Sequence, residues 1–276
     1  MMTQRTGEAR IAEVFDQARA QGRAALVGYL PVGFPQVAAS IEAMQVMVEA
    51  GCDIVEVGVP YSDPVLDGPV IQDAAARALR AGTRLADVLT AVRAVSDAGG
   101  TPVVMSYWNP ILRYGVDAFA AELAAAGGAG LITPDLVPDE AGVWLEAAQR
   151  YGLCPIFLVA PSSTDERLAM TVAQCRGFVY VSSVMGVTGA RAEVGFAAQG
   201  LVDRTRAATA LPLCVGLGVG NRYQATELAR YADGVIVGSA LVRTIGTDRP
   251  WLDRIAALRE LTQQLAEGVR TTGREG

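Results

Sequence analysis

The stretch EVGVPYSDPVLDGPVIQDAA, residues 56–75, holds two acids in unusual company: Glu56 inside a β-branched run, and Asp67 eleven residues on, in a turn-rich segment. A carboxylate in such a place can act as a general acid–base toward a substrate. Along DIVEVGV, strand alternation puts Ile54, Glu56 and Gly58 on one face and Val55, Val57 and Val59 on the other. The three valines form the natural helix-packing face, so Glu56 is expected to point inward. An unpaired carboxylate is costly there and its pKa rises. The alternative is a core glutamate satisfied by an arginine or a hydroxyl. No basic residue occurs in any strand-like run, although Arg23 stands just before the first. Asp67, ahead of Gly68, is equally compatible with plain turn chemistry.

Other chemistry is limited by what the chain lacks. It has no histidine, and all 23 basic residues are arginines. Without lysine there is no Schiff base with substrate and no internal aldimine of pyridoxal phosphate. Without histidine the usual general base and the usual zinc ligand are missing, and no metal site is expected. Carboxylates become the leading acid–base candidates. The net charge of −6 and the absence of a basic run argue against nucleic acid and anionic membrane surfaces as partners. The first residues, MMTQRTGEARIAEVFDQARAQGR, are amphipathic and lack an apolar signal core, and no run is long enough to span a membrane. Cys52, Cys154, Cys175 and Cys214 are scattered, with no C-x-x-C pair, as expected for buried thiols in a reducing cytoplasm.

The elements that must position the acids follow from periodicity. Apolar, β-branched runs are read as strands at Ala25–Leu30, Asp53–Val59, Pro102–Tyr107, Gly130–Thr133, Pro155–Val159, Phe178–Ser182, Leu213–Gly216 and Gly234–Val237. Helical stretches such as VDAFAAELAAAGG and DERLAMTVAQC separate them. This alternation predicts a parallel sheet, and eight such units predict one closed (β/α)8 TIM barrel over 1–276 with an extra N-terminal helix. A doubly wound open sheet is the alternative. The second and third strands start 49 residues apart, and the added length holds PYSDPVLDGP. In a barrel this long loop follows the C-terminal end of a strand, where active sites are built.

Three glycine-rich turns follow the last three strands: MGVTGAR, GLGVGN and GSA. Glycine lets backbone N–H groups approach an anion closely, and a helix N-terminus adds a favourable dipole. Three such turns on neighbouring loops predict a phosphate site. GLGVGN is not the dinucleotide pattern G-x-G-x-x-G.

These motifs resemble those of the tryptophan synthase alpha chain family. E-V-G-V-P-Y-S-D-P-x-x-D-G-P-x-I-Q is similar to its signature, and S-Y-W-N-P, T-P-D-L-V-P-D-E, M-G-V-T-G-A-R and G-V-I-V-G-S-A-L-V follow in the family's order, from about Val14 to Val269. The resemblance implies a TIM barrel that cleaves indole-3-glycerol phosphate to indole and glyceraldehyde 3-phosphate without a Schiff base or a metal. It implies Glu56 as the catalytic glutamate and Asp67 as the catalytic aspartate. Gly189, Gly218, Gly238 and Ser239 match phosphate-binding positions. Tyr29, Tyr107, Ile132, Leu158, Tyr180 and Leu217 match the indole pocket. Thr188 matches the loop that closes over substrate near Asp67. The resemblance also implies a beta chain as partner in an α2β2 complex, with pyridoxal phosphate held only by that partner. Asp63–Pro64 and the S-Y-W-N-P loop would face it.

Two positions depart from the family: Val184 stands where many members have arginine, and Leu217 replaces a common aromatic. Three other readings stay open: a stand-alone lyase releasing free indole, a regulatory subunit without turnover, and another phosphosugar barrel. The long insertion after the second strand speaks against the last.

Overall fold

The computed structural model describes residues 5–182, 191–216 and 218–270, the side chains of 191–197 excepted. Eight parallel strands close on themselves in chain order, and β8 pairs with β1. They are β1 (Ala25–Pro31), β2 (Ile54–Gly58), β3 (Thr101–Met105), β4 (Gly130–Thr133), β5 (Cys154–Val159), β6 (Val179–Ser182), β7 (Leu213–Gly216) and β8 (Gly234–Val237). Nearly every strand residue is buried, as expected for parallel strands covered on both faces. The closed barrel decides against the open sheet.

Side-chain alternation sorts each strand into an inner and an outer set. Val27, Ile54, Val103, Ile132, Ile156 and Cys214 belong to a barrel-filling cluster, whereas Val55, Val57, Val104 and Leu131 pack against the surrounding helices. Ile54 inside with Val55 and Val57 outside is the orientation expected from sequence. Glu56 therefore points into the barrel.

Helices α1 (Gly7–Ala20) and α2 (Val37–Glu49) flank β1. The first does not join the outer ring. Its stripe Ile11, Phe15 and Ala18 packs on the barrel-filling residues and closes the floor. Beside it the Arg23 guanidinium binds Asp53 through two bonds of 2.7 and 2.8 Å, and Asp53 also accepts the Leu26 N–H at 2.8 Å. Arg23 is thereby engaged at the N-terminal end of the barrel and does not neutralise Glu56.

The interval between β2 and β3 is only partly loop. Residues 59–68 are irregular, after which α3 (Pro69–Arg80) and α4 (Leu85–Asp97) follow in succession. Pro69 occupies the first turn of α3, where its missing N–H costs nothing, and Ala74, Ala75 and Ala78 bury its inner face. After β3 the chain leaves the sheet two residues sooner than the alternation suggested. Tyr107 is the N-cap of a short helix, α5 (Trp108–Tyr114). The ring is completed by α6 (Val116–Ala125), α7 (Gly142–Tyr151), α8 (Asp165–Gln174), α9 (Arg191–Arg206), α10 (Arg222–Ala229), α11 (Ser239–Ile245) and α12 (Trp251–Arg270). Among the described residues no helix is long and apolar enough to cross a membrane.

Candidate active site

The functional candidates gather at the C-terminal ends of the strands. Glu56 on β2 lies in register between Tyr29 on β1 and Val103 on β3. Across the mouth, Leu158 on β5 pairs with Tyr180 on β6, which pairs with Cys214 on β7. Ile132, Leu158 and Tyr180 pack on the barrel-filling cluster, so the inner walls above Glu56 are apolar and aromatic.

Two glycines make room for the two inner tyrosines. A β-carbon at Gly58 would meet the Tyr29 ring at 2.5–2.7 Å, and one at Gly216 would lie 2.7 Å from the Tyr180 hydroxyl. Each tyrosine thus leans across the next strand, two residues beyond its own register partner. Sequence reading missed both glycines as site residues. The inward position of Gly58, two after Glu56, was the available signal.

Glu56 is 1% exposed, and neither of its carboxylate oxygens finds a hydrogen-bond partner among the described residues. Burial with no compensating cation pushes its pKa to about 8. At neutral pH it is mainly a carboxylic acid, able to give a proton and take one back. Among the described residues no arginine or hydroxyl satisfies it.

Asp67 stands in the loop between β2 and α3. Its Oδ2 accepts the Tyr107 hydroxyl at 3.2 Å, and its backbone carbonyl accepts from Gln72 Nε2 at 2.7 Å. Burial raises its pKa, and the bond from Tyr107 works in the opposite direction. The Tyr29 and Tyr180 hydroxyls are both pushed well above their ordinary range, chiefly by burial and then by the charges of Asp67 and Glu56. Both acids therefore act on the same enclosed space. Tyr107, expected to line the indole pocket, also engages the β2–α3 loop. Its hydroxyl serves the loop, and its ring stacks on Tyr61 with centroids 4.9 Å apart.

Of the expected phosphate positions, Gly238 precedes α11 and Ser239 opens it. A β-carbon at Gly238 would lie 3.5 Å from the Tyr29 ring, which places this turn beside the aromatic wall. Gly218 follows β7 with a positive φ of 59°, a conformation that glycine tolerates best. Gly220 N–H is taken up by Gln224 Oε1 at 2.7 Å. Thr188, Gly189, Leu217 and the departure at Val184 lie outside the described residues. Among the described residues no group of three or more Cys, Asp or Glu could hold a metal ion.

The family model described as tryptophan synthase alpha chain matches residues 15–270. The tryptophan synthase alpha chain of Mycobacterium marinum is 60% identical over 270 residues, covering 98% of each chain. That of Thermobifida fusca is 60% identical over 262 residues, 94% of this chain and 97% of the relative. Among solved structures, tryptophan synthase from Mycobacterium tuberculosis in space group F222 superposes with a TM-score of 0.88 at 59% identity, covering 95% of this chain and 98% of the other. With an inward, unpartnered Glu56 at the mouth of a closed barrel and Asp67 on the loop above it, this chain belongs to the tryptophan synthase alpha chain family.

Proposed function

We propose that Glu56 and Asp67 carry out the lyase reaction of this family, the retro-aldol cleavage of indole-3-glycerol phosphate to indole and D-glyceraldehyde 3-phosphate. The observation that carries the assignment is the Glu56 carboxyl, buried, without a partner and protonated at neutral pH. It gives its proton to indole C3, which turns the ring into a cationic indolenine. Asp67, ionised, accepts the indole N–H and stabilises that charge. The Glu56 carboxylate then takes the proton of the adjacent glycerol hydroxyl. The C–C bond breaks, its electron pair restores the aromatic ring, and the aldehyde leaves. One proton has cycled and Glu56 is again an acid.

Tyr29, Ile132, Leu158 and Tyr180 supply flat and branched apolar surface for the indole, with Leu217 on the same pocket. Gly218, Gly238 and Ser239, with Gly189, hold the phosphate through backbone N–H groups and the α11 N-terminus. The position of Gly238 against Tyr29 supports this, because it sets the anion site one ring away from the indole wall. Thr188 is assigned to substrate binding.

The partner is a tryptophan synthase beta chain in an α2β2 assembly in the cytoplasm. Pyridoxal phosphate belongs to that partner, since this chain has no lysine to hold it. A set of exposed apolar side chains supports this docking face. Val65 is 80% and Leu112 57% exposed, with Leu66, Tyr114 and Val137 alongside, all on segments that follow β2, β3 and β4.

Indole release from indole-3-glycerol phosphate, with and without a beta chain, tests the reading. Slow release by the chain alone, acceleration by the beta chain and abolition by Glu56→Gln are expected. Fast release indifferent to the beta chain would make it a stand-alone lyase, and release that survives Glu56→Gln would overturn the role of the buried acid.

A further inference from the structure

Tyr107 uses its whole hydrogen-bonding capacity on one loop. A phenol has one donor and two acceptor sites. Here the oxygen accepts Val65 N–H at 3.1 Å and Leu66 N–H at 3.0 Å, while the O–H donates to Asp67 Oδ2 at 3.2 Å. Three consecutive residues of the β2–α3 loop thus converge on one atom just beyond the neighbouring strand β3.

That atom is itself firmly held. Ser106 N–H still donates to Ile132 O at 3.1 Å, as if the sheet continued. Trp108 N–H donates to both oxygens of Asp135, at 2.9 and 3.1 Å, so the residues on either side of Tyr107 are tied to β4 and the loop after it. Tyr61, itself in the β2–α3 loop, stacks on the Tyr107 ring and adds a further contact between that loop and Tyr107. The loop carrying Asp67, by contrast, is irregular over ten residues and exposes Val65 and Leu66. Among the described residues its other side-chain tie at the acid is Gln72 to the Asp67 carbonyl, which does not engage the carboxylate.

We infer that Tyr107 is a positioning residue for Asp67, its hydroxyl drawing residues 65–67 onto the barrel rim and aiming the Asp67 carboxylate over the pocket. The inference rests on the reading of Asp67 as the ionised acceptor of the indole N–H. Asp67 must be unprotonated to act. Tyr107→Phe removes the bond that favours its ionised form, so the acid limb of the pH profile moves to higher pH. Besides Tyr107, the titratable groups that share charge effects with Asp67 are Tyr29 and Tyr180, both of which also feel Glu56, and Tyr107→Phe leaves all three in place.

The test compares wild type, Tyr107→Phe, Asp67→Asn and the double variant, each with its beta chain, for indole release across pH. Amide exchange at Val65 and Leu66 is followed in parallel. Tyr107→Phe is expected to lower kcat about tenfold, in line with a lost hydrogen bond to a charged group, with KM moving far less. It should shift the acid limb upward, hasten exchange at both amides and cost nothing further in the Asp67→Asn background. An unchanged kcat and acid limb, or an equal loss with and without the Asp67 carboxylate, would overturn the inference. Full activity of Asp67→Asn would instead remove the reading of Asp67 on which it rests, and exchange at Val65 and Leu66 would still report whether the anchor exists.

Discussion

Tyr29 lies across Gly58, its ring filling the place where any other side chain at that position would begin. A β-carbon there would stand 2.5 Å from Cε2 and 2.6 Å from the hydroxyl oxygen. Tyr29 also borders Gly238 and is buried, so it has no open direction in which to retreat. Gly58→Ala is expected to destabilise the fold by roughly 1–3 kcal/mol through overpacking and to raise KM for the substrate. Denaturant unfolding and steady-state kinetics check this. Shortening the ring in a Gly58→Ala, Tyr29→Leu double variant should recover part of the stability but not the KM.

The buried acid makes stability fall with pH. In the unfolded chain the Glu56 carboxyl ionises near 4.5, and in the folded barrel near 8. Between these values the folded state holds the proton more tightly, so Glu56 burdens folding increasingly as pH rises through the window and by a constant amount above it. Glu56→Gln should therefore be inactive yet more stable than wild type, by a few kcal/mol at pH 8 and by little near pH 4.5. Urea midpoints measured across that range would decide. Parallel curves for the two proteins would contradict a neutral buried carboxyl.

The same two acids shape the rate. Activity requires protonated Glu56, so kcat/KM is expected to decline as pH rises past about 8. It also requires ionised Asp67, whose pKa burial raises, so the acid limb should lie above that of an ordinary aspartate. A profile flat from pH 5 to 10 would exclude these assignments.

At the opposite end of the barrel, Arg23 and Asp53 form an ion pair whose side chains are 6% and 16% exposed. Removing one partner leaves a largely desolvated charge. Asp53→Asn is expected to cost about 3 kcal/mol of stability while leaving kcat near wild type at low temperature. Unfolding and indole release on the same preparation separate the two effects.

Leu112 protrudes from α5 on the proposed docking face. Leu112→Glu should change the stability of the isolated chain by less than about 0.5 kcal/mol and leave its own slow turnover intact. Stimulation by the beta chain should weaken, which titration of indole release with that chain would show.

Much of this was legible from residue order because parallel strands covered on both faces are continuous apolar runs. A polar residue within one is conspicuous, and alternation around Val55 and Val57 fixes which way Glu56 points. The α3 helix PVIQDAAARALR, though clearly amphipathic, was harder to see, because the turn-rich PYSDPVLDGP just before it makes the whole interval read as a loop. The role of Tyr107 left no local trace at all: Tyr107 and Asp67 are 40 positions apart, and the parallel pairing of β2 with β3 brings them together. The displaced ends of β2 and β3 belong to the same limit. Where a strand gives way to a cap depends on partners supplied by neighbouring loops.

The floor formed by α1 has a consequence for how the chain matures on the ribosome. Phe15 packs on Phe178 with ring centroids 6.1 Å apart, and a β-carbon at Gly234 would lie 3.6 Å from it. These partners are translated long after α1 has emerged. Until β6 and β8 arrive, Ile11 and Phe15 have no permanent burial site, and the helix waits as an amphipathic segment that chaperones or hydrophobic surfaces can hold. The first element made is thus among the last to be sealed, and release of a finished barrel is timed by its final strands rather than by its first.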